Sequence, residues 1–411
     1  MPILSGKETV SEHKTAPFIR RRSTGLGDNI MQTEKRADKL IAILTNDSDD
    51  IFCFRKELIE AFIADGYKVL VSCPDGDKME LMKGLDFIYD DVFIDRRGTD
   101  PVKDLKLYIH YKKLFEKYRP SAVLTYTIKP NIYASMAAKK YRIPVINNIT
   151  GLGSLLKKKG FIKILVLSLL KTAFKKSACV MFQNEENLRL SKEKKLVSGR
   201  GRLIPGSGVN CDRYPLLPYP AGGDGKSGEP VVFNYIGRIL RDKNIDDYIE
   251  AAKIIKAEYP CVSFNIMGFI EPGELHYKDK LEVLSEQNVV KYLGNQRDIK
   301  PFVAVSHATI HPSTYGEGMS NALLESAAMG RVLITTDNAG CKEAVVDNET
   351  GYIYKGGEVS ELVGKIKLFL SLDNETRRAM GEKGREYVKE NYSREKVVKA
   401  YREEIASIFK K

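Results

Sequence analysis

The sequence predicts an α/β protein built from two doubly wound domains in tandem, facing each other across a cleft. Three observations carry this. Short apolar runs alternate with helix-period segments along the chain, which is the rhythm of parallel sheets flanked by helices. That rhythm breaks once, at 214–230 (YPLLPYPAGGDGKSGEP), where four prolines and four glycines fall within 17 residues, and then resumes. The length agrees, because 411 residues suit two or three domains at about 150 residues each. A composition of 43% apolar and 29% charged residues excludes wholesale disorder and collagen-like structure.

Residues 1–37 read as a flexible tail of charge +3 without periodicity, with Met31 as an alternative start. The N-terminus carries no continuous apolar signal core, so secretion is not expected. The first domain, 38–213, opens with Lys39–Thr45 (KLIAILT), a buried strand. A loop at 46–54 follows. Arg55–Asp65 reads as a helix because Leu58, Ile59 and Phe62 share one face and Gly66 closes it. Strands are then expected at Lys68–Cys73, Ala122–Tyr126 and Val145–Ile149, with helices at Leu105–Tyr118 and Asn131–Tyr141 between them.

After the linker at 214–230, a second domain spans 231–390. Its expected strands are Val231–Ile236, Ser263–Met267, Val290–Leu293, Ala308–His311 and Val332–Thr335. Helices fall between them, including Ile245–Ala257, Ser320–Met329 and Glu361–Leu370. The last segment, 391–411, is read as a helix returning to the first domain. Ligands of such sheets bind beyond the carboxyl ends of the strands, so the cleft is the expected site.

The six cysteines are scattered without a C-x-x-C, and five histidines are too dispersed for a zinc pattern. Reduced cytosolic thiols are expected. No run of about 18 apolar residues is present, so no helix is expected to span a bilayer. The formal net charge is +12, which points to nucleic acid or an anionic surface. Its location narrows this: Leu155–Ser177 carries seven lysines and no acid. As a helix, this segment puts Ile162, Val166, Leu169, Leu170 and Ala173 on one face and Lys163, Ser168, Lys171, Thr172 and Lys175 elsewhere. A basic helix with a broad apolar face suits the headgroup layer, where each lysine near anionic lipid adds about 1 kcal/mol. Membrane contact is therefore expected from Lys157, Lys158, Lys159, Phe161, Lys171, Lys175 and Lys176. Only Phe161 and Phe174 accompany the lysines, so the stacking platform that nucleic acid needs is missing.

Two segments carry chemistry. In 311–330 (HPSTYGEGMSNALLESAAMG), Glu317 lies before a helix and Glu325 in its second turn. Between them Gly318, Met319, Ser320 and Asn321 form the helix entry, whose free N–H groups suit an anion. In 235–244 (YIGRILRDKN), Gly237 gives a tight turn at the strand end, and Arg238 and Lys243 are placed to reach a diphosphate. Asp75-Gly76-Asp77 has the form of a metal-binding D-x-D but follows a strand of the first domain, so no metal site is read there.

Together these segments resemble the retaining GT-B glycosyltransferases of family 4, which have two Rossmann-like domains. In that family a glycine–Arg–(four residues)–Lys element and two glutamates with seven residues between flank the donor diphosphate. Arg238, Lys243, Glu317 and Glu325 match it residue by residue. The resemblance implies catalytic roles for Arg238, Lys243 and Glu317, ribose binding by Glu325, and a UDP-sugar as co-substrate without cofactor or metal. Gly294–Asp298 (GNQRD) resembles the family's base-reading loop, bringing Arg297 to the donor, and Gly268 is expected at the cleft.

In the first domain, 125–131 (TYTIKPN) and 147–154 (NNITGLGS) follow strands and resemble a narrower group, bacterial enzymes that extend undecaprenyl-diphosphate-linked sugars. The resemblance implies acceptor binding by Lys129, Asn131, Thr150, Gly151 and Gly153. The loop at 46–54 lacks the paired glycines of several members with soluble acceptors. The expected activity is transfer of a HexNAc or hexose from a UDP-sugar to a polyprenyl-diphosphate-linked glycan. It would take place at the inner face of the cell membrane, with a peripheral, cytoplasmic enzyme. A UDP-N-acetylglucosamine 2-epimerase and a non-catalytic membrane-bound scaffold stand as alternatives.

Overall fold

The computed structural model describes residues 38–96, 98–151 and 160–410. The tail at 1–37, Gly153, Lys157, Lys158 and Lys159 lie outside the described residues. The first domain holds strands β1 (Leu40–Leu44), β2 (Lys68–Cys73), β3 (Ile88–Asp91), β4 (Ala122–Tyr126), β5 (Val145–Ile149), β6 (Cys179–Phe182) and β7 (Gly201–Leu203). Its helices are α1 (Lys56–Ala64), α2 (Pro101–Tyr118), α3 (Ile128–Tyr141), α4 (Phe161–Phe174) and α5 (Glu185–Glu193). The second holds β8 (Val231–Ile236), β9 (Val262–Met267), β10 (Lys291–Tyr292), β11 (Ala308–His311), β12 (Val332–Thr336) and β13 (Gly351–Tyr354). Its helices are α6 (Ile245–Glu258), α7 (His276–Glu286), α8 (Lys300–Ala304), α9 (Asn321–Ala328), α10 (Val359–Ser371) and α11 (Asn374–Tyr392), and α12 (Arg394–Phe409) ends the chain.

Every strand pair is parallel, in the orders β3-β2-β1-β4-β5-β6-β7 and β10-β9-β8-β11-β12-β13. The order reverses between β1 and β4 and between β8 and β11. These are the switch points at which doubly wound sheets open a crevice beyond their carboxyl ends. The central strands β1, β4 and β5 are buried along their whole length, so both faces are covered. Local chemistry sets the helix starts. Asp100 caps α2 by accepting from the Val102 N–H at 2.8 Å, with Pro101 pre-set in the first turn.

Two differences from the sequence reading have clear causes. The segment at 46–54 is largely helical: a turn at Ser48–Asp50 continues through a π-helical stretch, Ile51–Arg55, into α1. Buried Arg55 anchors it, with its guanidinium 3.9 Å from the Tyr126 ring centre and 3.4 Å from Asp50. Helix α3 begins at Ile128, ahead of Pro130, because a proline in the first turn forfeits no intrahelical bond.

The stretch at 214–230 runs along the second domain. Buried Arg331 binds the carbonyls of Leu217 and Pro218, and Tyr219 donates to His307 O at 2.9 Å. Helix α12 packs on the first domain. The Asn148 amide donates to Tyr401 Oη at 2.6 Å, and Arg402 pairs with Asp65 at 2.7 Å. The chain crosses between domains a second time at Ser393, which bridges Val209. Beside it, buried Arg394 pairs with Glu57 at 2.7 Å and donates to Gly208 O at 3.0 Å.

Candidate functional site

The two sheets enclose a cavity of about 730 Å³ at their carboxyl ends, walled by both domains. Four of its lining residues carry buried polar atoms with no protein partner: Asp50 Oδ2, Thr127 Oγ1, His311 Nδ1 and Asn321 Oδ1. Buried polar groups are ordinarily paired, so these atoms leave hydrogen-bonding capacity open at the cavity. Thr127 also holds φ 65° and ψ 167°, a strained conformation for a β-branched residue, at the exit of β4.

The wall on the side of the second domain is built from the ends of β8 and β11. Arg238 follows Gly237 directly beyond β8, and its Nη1 lies 2.8 Å from Glu271 Oε1. Lys243 ends a short 3₁₀ turn (Arg241–Lys243), is buried, and forms an ion pair with Glu317. The Tyr315 ring centre is 5.5 Å from the Arg238 guanidinium and 5.9 Å from the Lys243 ammonium, so one ring lies within reach of both cations. Burial opposes ionisation of Glu317, but the Lys243 ammonium, aided by His311, holds its carboxyl well below the usual range.

His311, at the last position of β11, was not singled out by the sequence reading. Its Nε2 is 3.2 Å from Ser320 Oγ and 3.8 Å from Glu317 Oε1. Burial and the nearby Lys243 lower its pKa, so the ring is neutral near pH 7. The only signal for it in the sequence is its place at a strand's carboxyl end.

Helix α9 points its N-terminus at this wall, with Met319, Ser320 and Asn321 lining the cavity. One of the N–H groups expected to be free there is not: Ser320 N–H donates to Gly340 O at 2.7 Å. Gly318 has a different role from the one read for it. A Cβ there would collide with Gln183 Oε1 and Thr150 O of the first domain. Gly151 is its counterpart: at φ +147° its Cα faces the 316–318 backbone, and a Cβ would sit 2.8 Å from Gly316 O. Both glycines therefore let the domains touch.

Glu325 is half-buried and lies beside the cavity rather than in its wall, near Tyr214. Burial pushes its pKa up to about 7, against the pull of Tyr214, Arg213, Arg394 and Lys78. A smaller recess of about 190 Å³ adjoins the main cavity, sharing Ile236, Gly237, Arg238 and Phe269, and is closed by Gly268, Asn295 and Gln296. The expected contribution of Arg297 is corrected: its side chain is exposed, does not line the recess, and pairs with Asp77 at 3.3 Å.

The acceptor-side expectations need the most revision. Lys129 does not reach the cavity; its ammonium pairs with Asp104 at 2.6 Å, tying α3 to α2. Asn131 is buried in a network, accepting from Thr125 at 2.6 Å and donating to Asn148 O at 2.9 Å. Thr150 does line the cavity. Residues the reading passed over stand there too: Asp47, Asp49 and Asp50, balanced by Arg96, Lys78 and Arg55.

In α4 the expected apolar face is turned inward. Leu170, Ala173 and Phe174 are buried, and Val166 and Leu169 pack against them. Among the described residues the exposed apolar side chains of α4 are Ile162, the one member of the expected face that is turned outward, and Ile164 and Leu165. Lys171, Lys175 and Lys176 are exposed on the same helix and just beyond it, which Phe161 opens. Among the described residues no helix is long and apolar enough to cross a membrane, and no cluster of His, Cys, Asp or Glu could hold a metal ion.

Two family models match the chain, one on each domain. The model for glycosyl transferases group 1 covers residues 223–387, and that for glycosyl transferase 4-like domains covers 41–184. The N,N'-diacetylbacillosaminyl-diphospho-undecaprenol α-1,3-N-acetylgalactosaminyltransferase of Campylobacter jejuni is 25% identical over 344 residues, spanning 80% of this chain and 89% of that protein. The capsular polysaccharide biosynthesis glycosyltransferase CapM of Staphylococcus aureus is 28% identical over 316 residues, spanning 72% of this chain and 80% of its own length. Among solved structures, Anabaena HepE in complex with UDP and glucose superposes with a TM-score of 0.73 at 17% identity, covering 90% of this chain and 100% of that one. With matched domains on both sheets and the matching arrangement of the two, the chain belongs to the family 4 glycosyltransferases of GT-B fold.

Proposed function

We propose that this transferase moves a HexNAc or hexose from a UDP-sugar to a polyprenyl-diphosphate-linked glycan, with retention at the anomeric carbon and without a metal. One observation carries the reading: Arg238, Lys243 and the N-terminus of α9 converge on one cavity wall beside Glu317. Such a wall suits a diphosphate, with Arg238 gripping it bidentately and Lys243 adding a point charge. The smaller recess at Gly268 and Asn295 suits the base. Glu317 suits the donor sugar, and the family resemblance gives Glu325, just behind the wall, the ribose hydroxyls.

Transfer breaks the bond between the anomeric carbon and the β-phosphate oxygen. The acceptor hydroxyl bonds to the same face, and its proton passes to the leaving phosphate. Negative charge grows on the diphosphate, and fixed cations and N–H dipoles in a partly dehydrated wall stabilise it without reorganising. The ion pair with Lys243 makes Glu317 a poor nucleophile and a good hydrogen-bond acceptor. UDP as the nucleotide is supported by the ligands named for HepE, and a lipid-diphosphate acceptor by the name of the Campylobacter relative.

The acceptor's lipid brings the enzyme to an anionic membrane surface, peripherally and at the cytoplasmic face. Exposed Ile162, Ile164 and Leu165 would enter the headgroup layer while Lys171, Lys175 and Lys176 meet its charge. A panel of UDP-sugars against undecaprenyl-diphosphate-linked acceptors, with mass spectrometry of the product, tests the assignment. UDP release should depend on acceptor and fall at least about 100-fold in Arg238→Ala and Glu325→Ala. Release unchanged in both variants overturns the reading.

A further inference from the structure

The Glu317 loop is held from the opposite domain. Asn184 caps α5, its Oδ1 accepting from the Asn187 N–H at 2.8 Å. That fixes the amide the other way round, so its Nδ2 faces the second domain. There it donates to Gly318 O at 2.6 Å and Glu317 O at 3.0 Å. Asn187, one turn along α5, donates from Nδ2 to Glu317 O at 3.2 Å. Both asparagines are buried, at 2% and 5% exposure, and Gly151 and Gly318 allow the close approach. The carbonyls they hold belong to the residue that pairs with Lys243 and to the one that leads into α9.

We propose that Asn184 and Asn187 are positioning residues that give the Glu317–Gly318 loop its working shape only when the domains close. The inference rests on the reading of Glu317 as the residue beside the donor sugar. Arg238 and Lys243 belong wholly to the second domain, so nucleotide can bind the open form. The Glu317–Gly318 backbone, by contrast, lacks three hydrogen bonds until the first domain arrives, two at Glu317 O and one at Gly318 O. Acceptor-domain closure thus completes the donor site, and a donor bound in the open form meets an unset Glu317. This couples the chemical step to the presence of the acceptor domain and limits hydrolysis of the donor by water.

The test uses Asn184→Asp, which keeps the capping oxygen and loses the donor, and Asn187→Ala, which deletes one bond. Full-length protein is assayed with the donor and lipid-linked acceptor that give product in the panel above. Expected are a kcat lower by about 10- to 100-fold, as for an ångström-scale misplacement, and a Kd for UDP within about threefold of wild type. The melting temperature of Asn187→Ala should stay near wild type. A kcat within threefold of wild type in Asn187→Ala, while Glu317→Ala abolishes transfer, overturns the proposal even if Asn184→Asp fails to fold. A fall in UDP affinity equal to the fall in kcat also overturns it, because the asparagines would then serve the donor site at large. Full transfer by Glu317→Ala identifies a different failure, that of the donor reading, and removes the proposal with it.

Discussion

Glu325 offers a quantitative test of the site's electrostatics through Glu325→Gln. In the folded protein burial raises the Glu325 pKa from 4.5 to about 7. The sign follows from proton counting. Between those values the folded chain holds a proton that the unfolded chain has lost, so stability falls as pH rises through the window. The full stabilisation is present below pH 4.5 and is gone above the folded value. Worked between pH 5 and pH 8, the group's contribution drops by roughly 2–3 kcal/mol. Glutamine cannot titrate and loses this dependence, while pH-independent costs of the substitution cancel in the comparison of the two pH values. Glu317 does not interfere, because its depressed pKa places its own loss of stability below pH 4.5. His307 would mask the effect in wild type alone. Burial lowers its pKa to about 4, so it destabilises the fold on the acid side of the same range. It is common to both proteins and drops out of the difference. The assay is thermal unfolding of both proteins at pH 5 and pH 8. The Glu325→Gln melting temperature, relative to wild type, should be higher at pH 8 than at pH 5 by roughly 3 °C, given an unfolding entropy that scales with 411 residues. An equal difference at both values refutes the raised pKa of Glu325.

Three further outcomes are expected. Arg238→Ala should weaken UDP binding by about 10- to 100-fold in calorimetry, the value of a charge-assisted contact. Lys243→Ala leaves the Glu317 charge buried and should cost about 3 kcal/mol in denaturant unfolding; adding Glu317→Gln should recover most of it, which a double-mutant cycle reads directly. Flotation with anionic vesicles should fall by at least about tenfold when Lys171, Lys175 and Lys176 are neutralised together, and should also fall in Ile164→Ser/Leu165→Ser; no loss in either variant removes α4 from the membrane surface.

Fold legibility tracked the length and burial of each element. Strands such as β1 (LIAIL) are apolar throughout, and β8 (VVFNYI) is so but for Asn234, so both stand out from their neighbours. The edge strands β3 (IYDD) and β7 (GRL) do not, being short and half exposed, with acids or a glycine where an apolar pattern would be. The donor wall was legible because its chemistry is local: Arg238 and Lys243 share one turn, and Glu317 and Glu325 flank one helix start. Lys129 and Asn131 misled because a polar residue after a strand can face a neighbouring helix as readily as the cleft. Only the position of α2 decides that Lys129 meets Asp104. His311 and the α5 asparagines were invisible for the complementary reason. Their significance depends on partners far away in the chain, and nothing near them in the sequence announces it.

The two strands of chain that pass between the domains, near Val209 and Ser393, lie side by side and are hydrogen-bonded to each other. A pair of adjoining tethers behaves as a door hinge does. It leaves opening about one axis easy and makes twist or sideways slip expensive. Arg394, which is pinned to Glu57 and Gly208, fixes where that axis lies. Each closure then returns α5 to the same place against the Glu317 loop, so the register between the halves is set at the pivot rather than found anew by the ligands.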